Sequence, residues 1–319
     1  MPRISLFRPS ASTPLPHLGL VQVSCTGILW GTGGLAVVLV RRNAELSALT
    51  ISAYRTGIAA VVVLAVVLAL RRGPGVWQVL ARSPVRAGGV GLLTGAYQGL
   101  YFVSVVAVGV TVSTVVSLGL APVLLTGVTS LRTRTAPSPR AAAVVVVALA
   151  GLVLVAGSSG AGITGPHPLL GILTALGSGT AFAAATALGE PLARAADPLA
   201  IAAVTTTVAT LGLAPLALGT AAIGGSAVVT TDPAALLILL YLGAITMALA
   251  YGLLYAGLRT TTSSTAVVAT LLEPVTAAAM AALFLGEALR PAGVVGSLLI
   301  LLALAGSARP NPATPGSTK

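Results

Sequence analysis

Charge is what this chain has least of. Of 319 residues, 7% are Asp, Glu, Lys or Arg, and six of those are acidic. A catalytic centre made of paired carboxylates, or a carboxylate metal site, has little to draw on. The two histidines, His17 and His167, sit beside prolines near the first residues and between apolar segments, and no role is assigned to them. The single cysteine, Cys25, excludes a disulfide framework and a cysteine-built zinc site. Aromatic residues make up 4%, and no basic run interleaves with them as a nucleic-acid surface requires. The net charge of +11 therefore does not point to nucleic acid. The only lysine is Lys319, so no phosphate-binding loop ending in Gly-Lys-Ser/Thr is present. No metal, cofactor or catalytic residue is expected.

What is present is apolar. The chain is 56% hydrophobic, with a mean hydropathy of +1.03. That leaves too little polar surface to cover a soluble domain. Apolar runs of roughly 17–25 residues recur along it, each long enough to cross a ~30 Å hydrocarbon core. The expectation is an all-α integral membrane protein with ten transmembrane helices. They fall near 18–40, 46–70, 87–108, 110–131, 141–157, 168–189, 198–219, 233–255, 260–285 and 291–308. The third and fourth part only around Gly109, the eighth and ninth only around Arg259. Residues 1–17 and 309–319 are polar and expected to be disordered cytoplasmic tails. The first apolar run is too long for a signal-peptide core and lacks a small-residue cleavage site, so it reads as an uncleaved helix.

Charge placement sets the orientation. With a cytoplasmic N-terminus, the inner segments hold Arg3, Arg8, Arg71, Arg72, Arg82, Arg86, Arg132, Arg134, Arg140, Arg194, Arg259, Arg309 and Lys319. The outer loops hold only Arg41, Arg42 and Arg290. This bias favours both ends inside. The preference for Arg over Lys, with abundant Ala, Val and Gly, reads as a high-GC bacterial source.

A repeat is also visible. Ser113-Thr114-Val115-Val116 running to Ala121-Pro122-Val123 matches Thr265-Ala266-Val267-Val268 running to Glu273-Pro274-Val275, 152 residues later. Gly31-Thr32 matches Gly179-Thr180, 148 residues later. Each half, 18–157 and 168–308, holds five helices, with an outer linker at 158–167. Five is odd, so the second half enters the membrane in the opposite sense. This is an inverted repeat, whose interface commonly holds substrate near the midplane.

Two ionisable residues lie inside apolar segments. Arg55 is about nine residues into the second and Glu273 about thirteen into the ninth, roughly 13 and 20 Å deep at 1.5 Å per residue. Intramembrane charges are expensive, about 2.5–3.5 kcal/mol on insertion scales, and mark function by default. Glu273 could take up a proton, bind a cationic group of a substrate, or hold a fixed structural partner. Arg55 could clamp a carboxylate in bidentate fashion, or pair with Glu273 or with helix-end carbonyls. Pro274 and its counterpart Pro122 are expected to break their helices, because proline removes a backbone donor.

The scarce aromatics are the next candidates. Tyr97 and Tyr101 share one face of the third helix, Tyr251 and Tyr255 one face of the eighth, each pair four residues apart. With Gln98 and the mid-helix Trp30 they could line a cavity, or serve as packing residues. The runs Thr111-Ser113-Thr114 and Thr205-Thr206-Thr207, and the pair Gly27 and Gly31, read as helix-packing devices. Glu190, Arg194 and Asp197 read as a loop, and Glu287 and Arg290 as solvated helix ends.

Taken together, Trp30-Gly31, Ala53-Tyr54-Arg55, Leu271-Leu272-Glu273-Pro274-Val275 and Leu285-Gly286-Glu287 resemble the EamA-type members of the drug/metabolite transporter superfamily, over about residues 18–308. The first half departs from the pattern, with Ala121 in place of Glu273 and Leu131-Arg132-Thr133-Arg134 in place of Leu-Gly-Glu. The resemblance implies a bacterial inner-membrane transporter of small metabolites, often an exporter of amino acids or related compounds. The missing phosphate-binding loop makes it a secondary transporter, and the chain is long enough to build a pathway among membrane lipids as a monomer or a homodimer. A membrane enzyme acting on lipid-like substrates and a structural or signalling membrane protein are the alternatives.

Overall fold

The computed structural model describes residues 16–158, 166–285 and 290–307. Residues 1–15 and 309–319 of the expected tails, most of the 158–167 linker, and Gly286 and Glu287 of the Leu285-Gly286-Glu287 motif lie outside the described residues, whereas Pro16 and His17, expected in the tail, begin α1. The described residues form helices: α1 Pro16–Asn43, α2 Ala48–Ala69, α3 Gly73–Arg82, α4 Pro84–Val108, α5 Val110–Thr133, α6 Pro139–Ser158, α7 Pro168–Ala195, α8 Pro198–Gly224, α9 Pro233–Gly243, α10 Ala250–Gly257, α11 Ser263–Ala269, α12 Leu272–Leu285 and α13 Pro291–Ser307. A π-helical turn, Ala244–Leu249, joins α9 to α10.

Local chemistry sets the ends. Proline opens α4, α6, α7, α8, α9 and α13, where its missing N–H is no loss. Ser47, Asp197, Asp232 and Thr262 cap α2, α8, α9 and α11 by accepting first-turn N–H groups. Gly109 parts α4 from α5 at φ 98° and ψ 160°, a conformation essentially reserved for glycine.

Nine helical stretches among the described residues are long and apolar enough to cross a membrane, counting Pro233–Gly257 and Ser263–Phe284 as one each. The chain is thus a multi-pass membrane protein, all-helical among the described residues. The shorter α13 has 17 residues, about 25 Å of helix, and packs along α6. There the glycines interlock: a methyl at Gly151 would lie 2.6 Å from the Gly296 carbonyl oxygen, and one at Gly296 equally close to that of Gly151. α4 packs along α7, α2 along α8, and α5 against α7, while α1 lies against α10 and α12.

Four features differ from the sequence reading. The connection 71–86 contains a helix, α3, hidden from an apolar count by its Gly73-Pro74-Gly75 start. Helix α7 runs on to Ala195, so Glu190 and Arg194 are helical and form an i,i+4 ion pair at 2.7 Å. Asp197 is then the cap of α8, because Asp-Pro starts the next helix at once. Pro122 does not break its helix: α5 continues through it, since packed neighbours in a bundle can absorb one lost hydrogen bond. Around Pro274 the helix does break, one turn earlier, between α11 and α12. Proline cannot donate to the Thr270 carbonyl, so the Glu273 N–H takes it at 2.9 Å, and Leu271 N–H bonds Val268 at 3.2 Å. These tighter i→i+3 bonds end α11.

Candidate functional site

Four residues in the middle of α1 organise the centre of the bundle. Gly31 lets α1 approach α12 so closely that a methyl there would lie 2.5 Å from the Glu273 carbonyl oxygen. One turn earlier, Gly27 lies against Ala269 and Thr270, at the break itself. Gly33 faces the Arg55 guanidinium, with Nη2 3.9 Å from where its Cβ would be and Thr246 Oγ1 at 3.7 Å. Trp30 points into an aromatic cluster. The strip Trp30–Gly33 is therefore the joint between the two intramembrane charges.

Arg55 and Glu273 are both half-buried and close enough to interact electrostatically. They do not form an ion pair: the ion pairs among the described residues are Arg72–Asp197 and Arg194–Glu190. Arg55 Nη2 donates to Thr246 Oγ1 at 3.4 Å, a weak bond, and its Nε is buried with no partner. Glu273 Oε2 is likewise buried without a partner. Unsatisfied buried polar atoms are costly, and a charged one more so. Two opposite charges, each with an orphan buried atom, leave hydrogen-bonding capacity unused on both.

The π-helical turn presents Thr246. Its hydroxyl donates to Leu242 O at 2.7 Å and accepts from Arg55. The next residue, Met247, receives the Gln98 amide at 3.3 Å. Gln98 is thus engaged in a buried inter-helix contact and does not line the central crevice. π turns inside α-helices occur frequently at functional sites.

Around the charges runs a chain of rings. Tyr101 and Tyr97 have centroids 6.4 Å apart, and Tyr97 stacks on Phe182 at 4.9 Å. Phe182 meets Trp30 at 5.9 Å, Trp30 meets Tyr251 at 5.5 Å, and Tyr251 meets Tyr255 at 6.1 Å. Tyr101 is held by Thr114 at 2.8 Å and Tyr255 by Thr205 at 3.2 Å. A crevice with room for about one ordered water is lined by Thr94, Tyr97, Phe182, Thr186, Tyr251 and Tyr255. Trp30, Tyr97, Tyr251 and Tyr255 are at most 8% exposed, so this part of the bundle is closed in the present conformation. The structure thus brings together Arg55, Glu273, Trp30, Tyr97, Tyr101, Tyr251 and Tyr255. Phe182 and Thr246 were absent from the sequence-based candidates. Phe182 could have been found by the argument that singled out Trp30, a rare aromatic at mid-helix. Thr246 carries no such signal, because its role depends on the π turn.

The hydroxyl runs bond partly within and partly between helices. Thr206 and Thr207 donate to carbonyls of their own helix, at 2.6 and 2.7 Å. Ser104, Ser113 and the Gly171 carbonyl tie α4, α5 and α7 together. Among the described residues no group of three His, Cys, Asp or Glu side chains comes together.

Comparison with known proteins places this geometry in context. The model of the EamA-like transporter family matches the chain twice, over residues 17–157 and 169–309. The chain is 32% identical over 209 residues to the uncharacterized transporter YwfM of Bacillus subtilis strain 168, covering 65% of this chain and 68% of that one. A solved crystal structure of a protein has the same fold, with a TM-score of 0.73 at 20% identity, over 90% of this chain and 95% of that one.

Proposed function

The chain belongs to the EamA-like transporter family, and from that premise we propose that it is a secondary transporter exporting small metabolites, amino acids or related compounds, by alternating access around a cavity between two inverted five-helix repeats. The observation that carries the reading is the unpaired couple of Arg55 and Glu273 beside a chain of aromatic rings. A guanidinium suits a carboxylate, a carboxylate suits an ammonium, and ring faces suit an apolar or cationic remainder. A zwitterion satisfies both orphan atoms at once. Glu273 can also exchange a proton for substrate, which couples export to a proton gradient.

Reciprocal packing supports the inverted repeat. The α4–α7 contact has its counterpart in α1 against α9 and α10, and α5–α7 has its counterpart in α1 against α11 and α12. The second helices of each half, α2 and α8, pack on each other, as do the fifth, α6 and α13. Gly179 approaches the Ser117 carbonyl and Gly31 that of Glu273, each at 2.5 Å for an added methyl and one helical turn apart in the matched register. This packing and the arginine distribution support a reading of ten crossings with both ends cytoplasmic in a bacterial inner membrane. The protein works as a monomer or homodimer and performs no chemical conversion.

The test is untargeted metabolite profiling of medium from cells overexpressing the wild type or Glu273→Gln. Compounds enriched outside only with the wild type are the expected result. No enrichment, with both proteins present in the membrane, contradicts export.

A further inference from the structure

Helix α3 serves no part of the central site and has no counterpart in the second half. Its ten residues span about 15 Å, too short to cross a bilayer. It lies where α2 ends and α4 begins, at the level of the span ends. One side packs on α8: Val79 is 1% exposed, and Gly75 sits against Ala200 and Asp197. Arg72 fixes it there through its 2.8 Å ion pair with Asp197. The opposite side is apolar and open. Trp77 is 73% and Leu80 43% exposed, and three-residue spacing puts them on one face.

Charge frames that face. Residues 71–86 carry Arg71, Arg72, Arg82 and Arg86 and no acidic residue. Among the described residues only Arg72 of these four has an acidic partner. Arginine matches phosphate geometry through two parallel N–H donors. Tryptophan is enriched at the bilayer interface. A short helix with an apolar open face and a basic rim at the end of two spans has the make-up of an interfacial anchor.

We propose that α3 and its flanking arginines dock onto anionic phospholipids, with Trp77 and Leu80 seated at the acyl boundary and Arg71, Arg82 and Arg86 on the phosphates. A protein partner would need acidic groups facing these arginines. The membrane supplies phosphate at this level already, and that decides the occupant.

Only two tryptophans exist, Trp30 and Trp77, so Trp30→Phe leaves Trp77 as a single reporter. The variant is reconstituted in vesicles of equal phosphatidylcholine and phosphatidylglycerol, with acyl-chain bromines on one lipid or the other. Trp77 emission is expected to be quenched in both cases, and at least about twofold more strongly by brominated phosphatidylglycerol. Replacing Arg71, Arg82 and Arg86 with Gln is expected to equalise the two. A second arm guards against misfolding of Trp30→Phe: in the otherwise native protein, Trp77→Phe should remove the phosphatidylglycerol-selective part of the quenching. Equal quenching by both lipids before any arginine is changed overturns the headgroup selection. Absence of bromine quenching, with free quenching by aqueous acrylamide, overturns the docking and favours a protein partner.

Discussion

Helix α5 and the span formed by α11 and α12 occupy matching places in the two halves, and they differ where it matters. Both carry a proline at the same register, Pro122 and Pro274. The first runs unbroken, with Ala121 fully buried before its proline. The second breaks between Ala269 and Leu272, and places half-buried Glu273 in the first turn of α12. A second pair repeats the lesson. α4 is regular, whereas its counterpart is interrupted by the π turn that offers Thr246 to Arg55. The irregular backbone is concentrated in the second half, which supplies Glu273 and Thr246, whereas the first half supplies Trp30, Arg55, Tyr97 and Tyr101 from regular helices.

Substitutions that break or sharpen this contrast are graded in size. The largest effect is expected from Glu273→Gln, which should reduce export at least about tenfold at unchanged membrane abundance, because it removes an interaction worth a charge-assisted hydrogen bond. Moving the carboxylate to the first half, Ala121→Glu with Glu273→Ala, should not restore export, as measured by extracellular accumulation. Restoration would mean the halves are interchangeable. Next come the two close approaches. Gly31→Val and Gly179→Val should each destabilise by about 1–3 kcal/mol through overpacking, read as a fall in melting temperature. Of the milder pair Gly31→Ala and Gly179→Ala, only Gly31→Ala should also depress transport, because it displaces Glu273. The prolines should separate more gently. Pro274→Ala should lengthen α11 and lower transport, whereas Pro122→Ala should leave transport unchanged and raise stability slightly. The smallest effect belongs to Arg72→Gln. It removes a half-exposed ion pair, a class worth about 0–1 kcal/mol, and should shift the melting temperature barely if at all.

The parts of this account legible beforehand were those that cost energy in lipid. Arg55, Glu273 and the rare mid-helix aromatics stand out against apolar surroundings, and their cost is visible without coordinates. The break at Gly109 was legible because backbone conformation there depends on the residue itself. What escaped depends on tertiary context. A π turn changes hydrogen-bond register without changing composition, so Thr246 looked like any membrane threonine. Continuity through Pro122 and the break before Pro274 arise from similar residues, and the neighbours decide between them. Helix α3 escaped because glycine and proline at its start mimic a loop, and its two apolar sides face different environments.

Side-specific accessibility tests the central contrast most directly. In a Cys25→Ala background, Glu273→Cys and Ala121→Cys are exposed to a small charged methanethiosulfonate reagent in intact cells. Modification of Glu273→Cys but not of Ala121→Cys is the predicted result, since Glu273 is half-buried at the helix break and Ala121 is fully buried. Equal modification at both positions, or modification of Ala121→Cys alone, would contradict it.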